Sequence, residues 1–415
     1  MKHQVHKFAK EYRTIVETFG TPVYAASETD LDEQYKKLHT ALVQRYPNSR
    51  IAYSFKTNYL SRVCDMWNKR GAAAEVVSGA EYTLARNIGF PGNEIIFNGP
   101  LKTEDELRVA LIEGATIHVD NREEYRRLEQ LVQSAGLRDV RIGVRLNSSA
   151  IADRLRGQYR KPGLFERFGF NIESGDAATF CTEVARAKGP IRICGFHTHI
   201  ATDIRDDAMY GNAAHLIAAF AARMARENDI HVLYIDMGGG LPADAGSDVE
   251  ISTAEAYVHA IASAVEANLP DRPRIILEPG RYLVSRGFEL ISRVVSVKQS
   301  RGEQIVTVDA TEAMLPSYQP MPRPLRVLEA KDGGAVATVF VGASCMAIEV
   351  FGRYQLPVLS EGDVIVFENV GAYSLSRASQ FIYPRPAIAW IDTAGSVSVA
   401  RHAETATDLT RLDVR

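Results

Sequence analysis

RIAYSFKTN, residues 50–58, is an apolar run of strand character that drives into a lysine and then turns polar. A lysine at the end of a buried strand is costly unless it is paired, neutralised or used covalently. The same texture recurs along the chain. AAAEVV (72–77), EIIFNG (94–99), TIHVDN (116–121), RIGVRLN (141–147), RICGFHTHI (192–200), VLYIDMGGG (232–240) and RIILEPG (274–280) bring the strand candidates to eight. Helical patterns such as TEDELRVALIEG (103–114) and AEAYVHAIASAVEA (254–267) fall between most of them. Eight strands separated by helices predict an α/β fold, a closed (β/α)₈ barrel rather than an open sheet.

Beyond about residue 285 the texture changes to closely spaced strands: FELISRVVSVKQ (288–299), QIVTVDA (304–310), AVATVFVG (335–342), DVIVFENV (363–370) and PAIAWIDTAG (386–395). These predict a C-terminal β domain, which the short strand TPVYAAS (21–27) is placed to join. The expected division is a barrel over 28–285 and a β domain built from 1–27 plus 286–415. RLRGQYRKPGLFERFG (154–169) reads as a long basic loop above the barrel, a common place for a lid or ligand loop.

A formal net charge of −3, with 24% charged residues and no long single-sign run, argues against nucleic-acid and membrane-surface partners. No stretch approaches a membrane span, and MKHQVHKFAKEYRTIVETFG (1–20) holds no uninterrupted apolar run, so the expected compartment is the cytoplasm. Cys64, Cys181, Cys194 and Cys345 form no CxxC pair and no zinc spacing. They read as reduced thiols, the first three as small core residues.

The strand ends carry the chemistry. Lys56, Ser78, Asn98, Asp120, Arg145, His197 with His199, Gly238, Gly239 and Gly240, and Glu278 with Arg281 all close or follow barrel strands. In this fold such positions share one rim, where active sites are built. Singly each is weak: a strand-end lysine is usually solvated, paired histidines are usually structural, and a glycine triplet is usually a turn. Together, an amine, an aromatic imidazole, a glycine cradle for phosphate and a carboxylate fit pyridoxal phosphate (PLP). An apolar setting would lower the Lys56 amine pKa and keep part of it nucleophilic.

The motifs also resemble a known family. AYSFKTN (52–58) is similar to its YAVKAN-type lysine motif, FHTHI (196–200) to H-x-H-I-G-S, DMGGGLP (236–242) to its phosphate loop and LEPGRYLV (277–284) to EPGR. VGASCMAIEVFG (341–352) resembles its cysteine segment and NVGAYSLS (369–376) its GAY segment. On these motifs the chain resembles the fold type III PLP-dependent decarboxylases, which include diaminopimelate, ornithine and arginine decarboxylases, from about residue 20 to 390.

The resemblance implies an alanine racemase-like barrel with a β domain, and PLP bonded to Lys56. It implies that His199 stacks on the ring and Glu278 meets the pyridine nitrogen. Gly238, Gly239, Gly240, Gly280, Arg281 and Tyr373 would bind phosphate, with Thr202 able to help. It further implies a homodimer with shared active sites, in which Cys345 reaches the neighbouring subunit's cofactor. Glu278 favours decarboxylation, since alanine racemases of similar architecture place an arginine there; a thiol such as Cys345 can then protonate the carbanionic carbon.

Several positions depart from the family pattern. Met346 stands where an acidic residue reads a distal amine, Glu349 replaces an aspartate, and TEAMLPSYQP (311–320) has no arginine before Arg323. HIAT puts Ala201 and Thr202 in place of glycine and serine. A methionine cannot pair with an ammonium group, so the expected substrate is a modified, acylated, carrier-linked or citrate-linked amino acid. Arg154, Arg156, Arg160, Lys161 and Arg167 are equally balanced between a solvated loop and an anion contact; RFGF gives Arg167 a family counterpart. The alternatives are a PLP racemase or epimerase, a silent PLP carrier or regulatory homologue, and a metal enzyme, against which the rim shows no convincing ligand spacing.

Overall fold

A computed structural model describes residues 8–155, 167–243, 251–316, 323–329, 331 and 333–414. The chain forms two compact units, one of Lys36–Pro242 with Val249–Tyr282, the other containing the rest.

The first unit is the barrel. Parallel strands Ser49–Ser54, Ala73–Val76, Ile95–Phe97, Thr116–Val119, Val140–Asn147, Ile191–His197, Tyr234–Asp236 and Arg274–Leu277 pair in that order. The last pairs with the first, Ile275 opposite Ser49 and Leu277 opposite Ile51, which closes the ring. A two-residue strand, Phe170–Asn171, is appended to Val140–Asn147. All eight expected strands form. They are apolar runs because a strand between a packed interior and covering helices is buried on both faces.

Glycine permits the densest part of the interior. Gly143 and Gly195 leave the space taken by Tyr234: a Cβ at Gly195 would lie 2.2 Å from the phenol ring, and one at Gly143 2.3 Å from its oxygen. Around the ring pack Ala52, Ala73, Ile96, Cys194 and Ile276. The helices start on conventional caps. Ser78 accepts from the Glu81 amide at Gly79–Ile88, and Thr103 forms a capping box with Glu106 at Glu104–Ile112.

The second unit is a β sheet. Val23–Ser27 lies between Phe288–Ser300, antiparallel, and Ile388–Ile391, parallel, so the short early strand does enter the sheet built from the end of the chain. Phe288–Ser300 turns through Arg301 and Gly302, both at positive φ, into Glu303–Val308, the backbone of a tight hairpin. Val23, Ala25, Ile291, Val366, Ala389 and Ile391 form its core with Tyr12 and Ile15 of helix Ala9–Phe19. All four cysteines are free: Cys64, Cys181 and Cys194 are buried and Cys345 is exposed. No helix among the described residues is long and apolar enough to cross a membrane.

Candidate active site

After Ser54 the chain leaves its strand in one turn of 3₁₀ helix, Phe55–Thr57. The turn sends Phe55 into the core against Tyr53 and Phe90 and Lys56 the other way. The Lys56 side chain keeps 37% of its surface exposed, and its Nζ is bonded to the buried carboxylate of Glu75. The apolar setting expected for this amine is therefore incorrect; an acidic partner meets it because Ser54 and Glu75 stand opposite each other in neighbouring strands. Glu75 also accepts from Ser54 Oγ at 2.6 Å and from Asn98 Nδ2 at 3.0 Å. Sequence reasoning missed Glu75. Its signal was a carboxylate inside the apolar run AAAEVV, since a buried charge needs a partner.

Asn98, just past its strand, also donates to Glu278 Oε1 at 2.7 Å. Its Oδ1 lies 2.7 Å from His118 Nδ1, and His118 Nε2 lies 3.0 Å from the Tyr234 hydroxyl. The rings of His118 and His197 stack. His197 Nε2 is 3.4 Å from Glu278 Oε2. Burial, first, and then the neighbouring imidazole push His118 well below the usual histidine pKa; burial and then Arg145 do the same to His197. Both imidazoles are neutral at neutral pH. Burial and then the charge of Glu278 push Asp236 well above the carboxylate range, while its Oδ1 accepts from the Gly238 amide at 2.9 Å.

Contrary to the expectation of no metal-spaced cluster on the rim, His118, His197 and Glu278 bring ligand atoms within 4.8 Å of one another. Both nitrogens of His118 already face Asn98 and Tyr234.

The glycine turn admits no side chain. A Cβ would fall 2.5 Å from Thr198 O at Gly238, 2.6 Å from Glu278 O at Gly239 and 2.2 Å from Ala201 O at Gly240. Gly238 and Gly240 also have positive φ. The Gly239 amide lies 3.3 Å from His199 Nδ1, and Tyr210 donates its hydroxyl to Gly239 O. Burial, then the charge of Lys56, push His199 down to about 4, so it too is neutral. A Cβ at Gly280 would lie 2.0 Å from Thr57 Oγ1. Thr202 is exposed and Arg281 half-buried. An accessible amine, a neutral imidazole, a backbone cradle closed to side chains and a buried hydrogen-bonded carboxylate fit PLP.

Arg145 pairs with Asp120 at 3.2 Å, and the guanidinium groups of Arg145 and exposed Arg167 each lie 4.3 Å from the Phe168 ring. Below them Lys102, fully buried, donates to Gly99 O at 2.9 Å, His118 O at 3.0 Å and Glu124 Oε1 at 2.6 Å. Arg154 is exposed; Arg156, Arg160 and Lys161 lie outside the described residues.

Cys345, Met346, Glu349 and Tyr373 belong to the β unit. Cys345 and Met346 are exposed. Glu349 is buried and its carboxylate accepts from the backbone amides of Glu312 and Ser344, so it serves its own loop rather than standing open to a ligand. Tyr373 has a φ of 64° and precedes the short helix Ser374–Arg377.

The model of the pyridoxal binding domain of pyridoxal-dependent decarboxylases matches residues 30–285. Diaminopimelate decarboxylase of Methanothermobacter thermautotrophicus is 29% identical, over 96% of this chain and 92% of that protein. The Bacillus subtilis enzyme of the same name is 28% identical, over 96% and 93%. Among solved structures, diaminopimelate decarboxylase from M. jannaschii superposes with a TM-score of 0.88 at 25% identity, covering 97% of this chain and 94% of that one. Its complex with L-lysine gives 0.87 at 26%.

Proposed function

The chain belongs to the pyridoxal-dependent decarboxylases, and from that premise we propose the residues that carry its reaction and the kind of amino acid it takes. The enzyme is a PLP-dependent amino-acid decarboxylase. When bound, PLP supplies a carbonyl that captures amines and a ring that accepts the electron pair left by departing CO₂.

Lys56 holds the cofactor. Glu75, ionised at rest, anchors its Nζ and then accepts the ammonium proton, leaving a neutral amine. Neutral His199 offers a flat face to the ring, and Glu278 faces the ring nitrogen as an anion. Gly238, Gly239, Gly240 and Gly280 form the phosphate cradle with Arg281, Thr202 and Tyr373, the Gly238 amide being held by Asp236 and the Gly239 amide by His199. The Cys345 thiol delivers the proton that replaces the carboxylate, in a cytoplasmic homodimer whose subunits share their sites.

One observation carries the reading. Lys56, Glu75, Asn98 and Glu278 are joined in an unbroken line of hydrogen bonds, so the amine and the carboxylate act on one ligand. A carboxylate facing a pyridine nitrogen keeps it protonated and supports loss of CO₂, where alanine racemases of similar architecture place an arginine.

The substrate is an α-amino acid whose distal end is neutral, acylated, carrier-linked or citrate-linked, with Arg167 beside it. Exposed Met346 supports this, since it offers no charge to a distal ammonium. The test is product mass spectrometry in D₂O with diaminopimelate, lysine, ornithine, arginine and N-acylated or citrate-linked diamino acids. Loss of CO₂ with one deuterium gained on a modified substrate supports the full reading. Preference for free diaminopimelate overturns the substrate assignment, and deuterium exchange with the carboxylate retained overturns the role of Glu278.

A further inference from the structure

We propose that Asn98 is a positioning residue of the reaction, a neutral crossbar that ties the carboxylate holding Lys56 to the carboxylate assigned to the cofactor nitrogen and keeps both ionised. The inference rests on the assignment of Lys56 and Glu278 above.

A carboxamide has two hydrogens on its nitrogen and an acceptor oxygen. Asn98 spends both hydrogens on carboxylates, at 3.0 Å to Glu75 Oε1 and 2.7 Å to Glu278 Oε1. Its oxygen faces His118 Nδ1 at 2.7 Å. The opposite amide orientation would turn an oxygen toward both carboxylates and require each to hold a proton, so the orientation with nitrogen inward is the one compatible with two anions.

That orientation fixes the rest of the line. His118 must carry its hydrogen on Nδ1 to donate to Asn98, which leaves Nε2 as an acceptor. Nε2 lies 3.0 Å from the Tyr234 hydroxyl, which burial keeps protonated. Donation therefore runs one way, from Tyr234 through His118 and Asn98, and ends on Glu75 and Glu278. Each member before the carboxylates is neutral, and hydrogen bonds in such a chain polarise one another in the same sense. Asn98 is 4% exposed, so solvent is poorly placed to replace its two donors.

Without the crossbar each carboxylate loses a buried donor: Glu75 keeps Lys56 and Ser54, while Glu278 is left with neutral His197 and Asp236 and the more distant charge of Arg145, and one of the two carboxylates takes up a proton. If Glu278 does, the cofactor nitrogen loses its counter-charge. If Glu75 does, Lys56 loses its anchor.

The experiment uses the full-length PLP-loaded enzyme as wild type, Asn98→Leu and Asn98→Asp. Visible absorbance of the cofactor is followed from about pH 6 to 9, and each sample is then reduced with borohydride and mapped by mass spectrometry. We expect the label on Lys56 in all three proteins, a wild-type profile that stays flat over this range, and a titration that appears within it in both variants. Asn98→Asp, nearly the same shape, should regain activity as pH falls, because its new carboxyl must bind a proton to donate. Variants that carry the label on Lys56 and follow the wild-type absorbance profile, with only a lower melting temperature, overturn the role of Asn98 alone. A label absent from Lys56 in the wild type overturns the site assignment and this inference with it.

Discussion

His118 and His197 stack face to face inside the closed barrel, ring centres 4.6 Å apart and planes 8° from parallel. Two protonated imidazoles could not be held so closely in a buried site, and the pair is consequently tied to the neutral state.

From this follows a pH dependence of stability. The folded pKa of His118 and His197 is depressed, and that of His199 is pushed down to about 4. In the unfolded chain they titrate near 6.5, so below that pH the unfolded state binds more protons and the fold loses stability down to the folded values. Melting temperatures of apoprotein should fall between about pH 6.5 and 4, and His197→Gln should flatten that fall. An unchanged slope in the variant would contradict the neutral pair.

Glu81 works in the opposite direction. Burial and then the charge of Glu75 raise its pKa to about 7, while it accepts from the Val77 amide at 2.9 Å. A raised carboxyl contributes stability below its unfolded value, about 4.5, that is lost as pH rises through the folded value. Glu81→Gln keeps an acceptor for Val77 and has no charge to bury. It should match wild type near pH 4 and exceed it near pH 8, by up to about 3 kcal/mol in denaturant unfolding.

Glu75→Gln leaves Lys56 without its anion. Turnover should drop by about 10²-fold at neutral pH with PLP still bound, read as kcat against cofactor absorbance. Retention of wild-type kcat would remove Glu75 from the proton path.

Gly240→Ala places a Cβ 2.2 Å from Ala201 O at a φ of +98°, whereas Gly136, at +63°, has open space around it. Both substitutions should cost about 1 kcal/mol of backbone strain. Only Gly240→Ala should also weaken PLP binding, by about tenfold or more in an absorbance titration. Equal affinity in the two variants would dismiss the cradle.

The barrel was readable from RIAYSF, AAAEVV and their counterparts because parallel strands covered on both faces cannot alternate polar and apolar residues. Lys56 and Glu278 were readable as charges at strand ends. The bond between Asn98 and Glu278 was not, because 180 residues separate them in sequence and only ring closure brings their strand ends together. Glu349 shows the reverse error. A motif position suggested a ligand contact, but a buried carboxylate takes whatever donors lie nearest, and these are its own loop amides.

Tyr234 fills space that Gly143 and Gly195 leave empty. The three positions therefore cannot drift independently. A side chain gained at Gly195 collides with the phenol, so an evolving lineage must first exchange Tyr234 for something shorter, giving up the hydroxyl that faces His118; one gained at Gly143 must also displace the His118 ring, 2.3 Å away. The order of such steps is fixed by volume, and a laboratory library that varies the glycines alone will return mostly unfolded proteins.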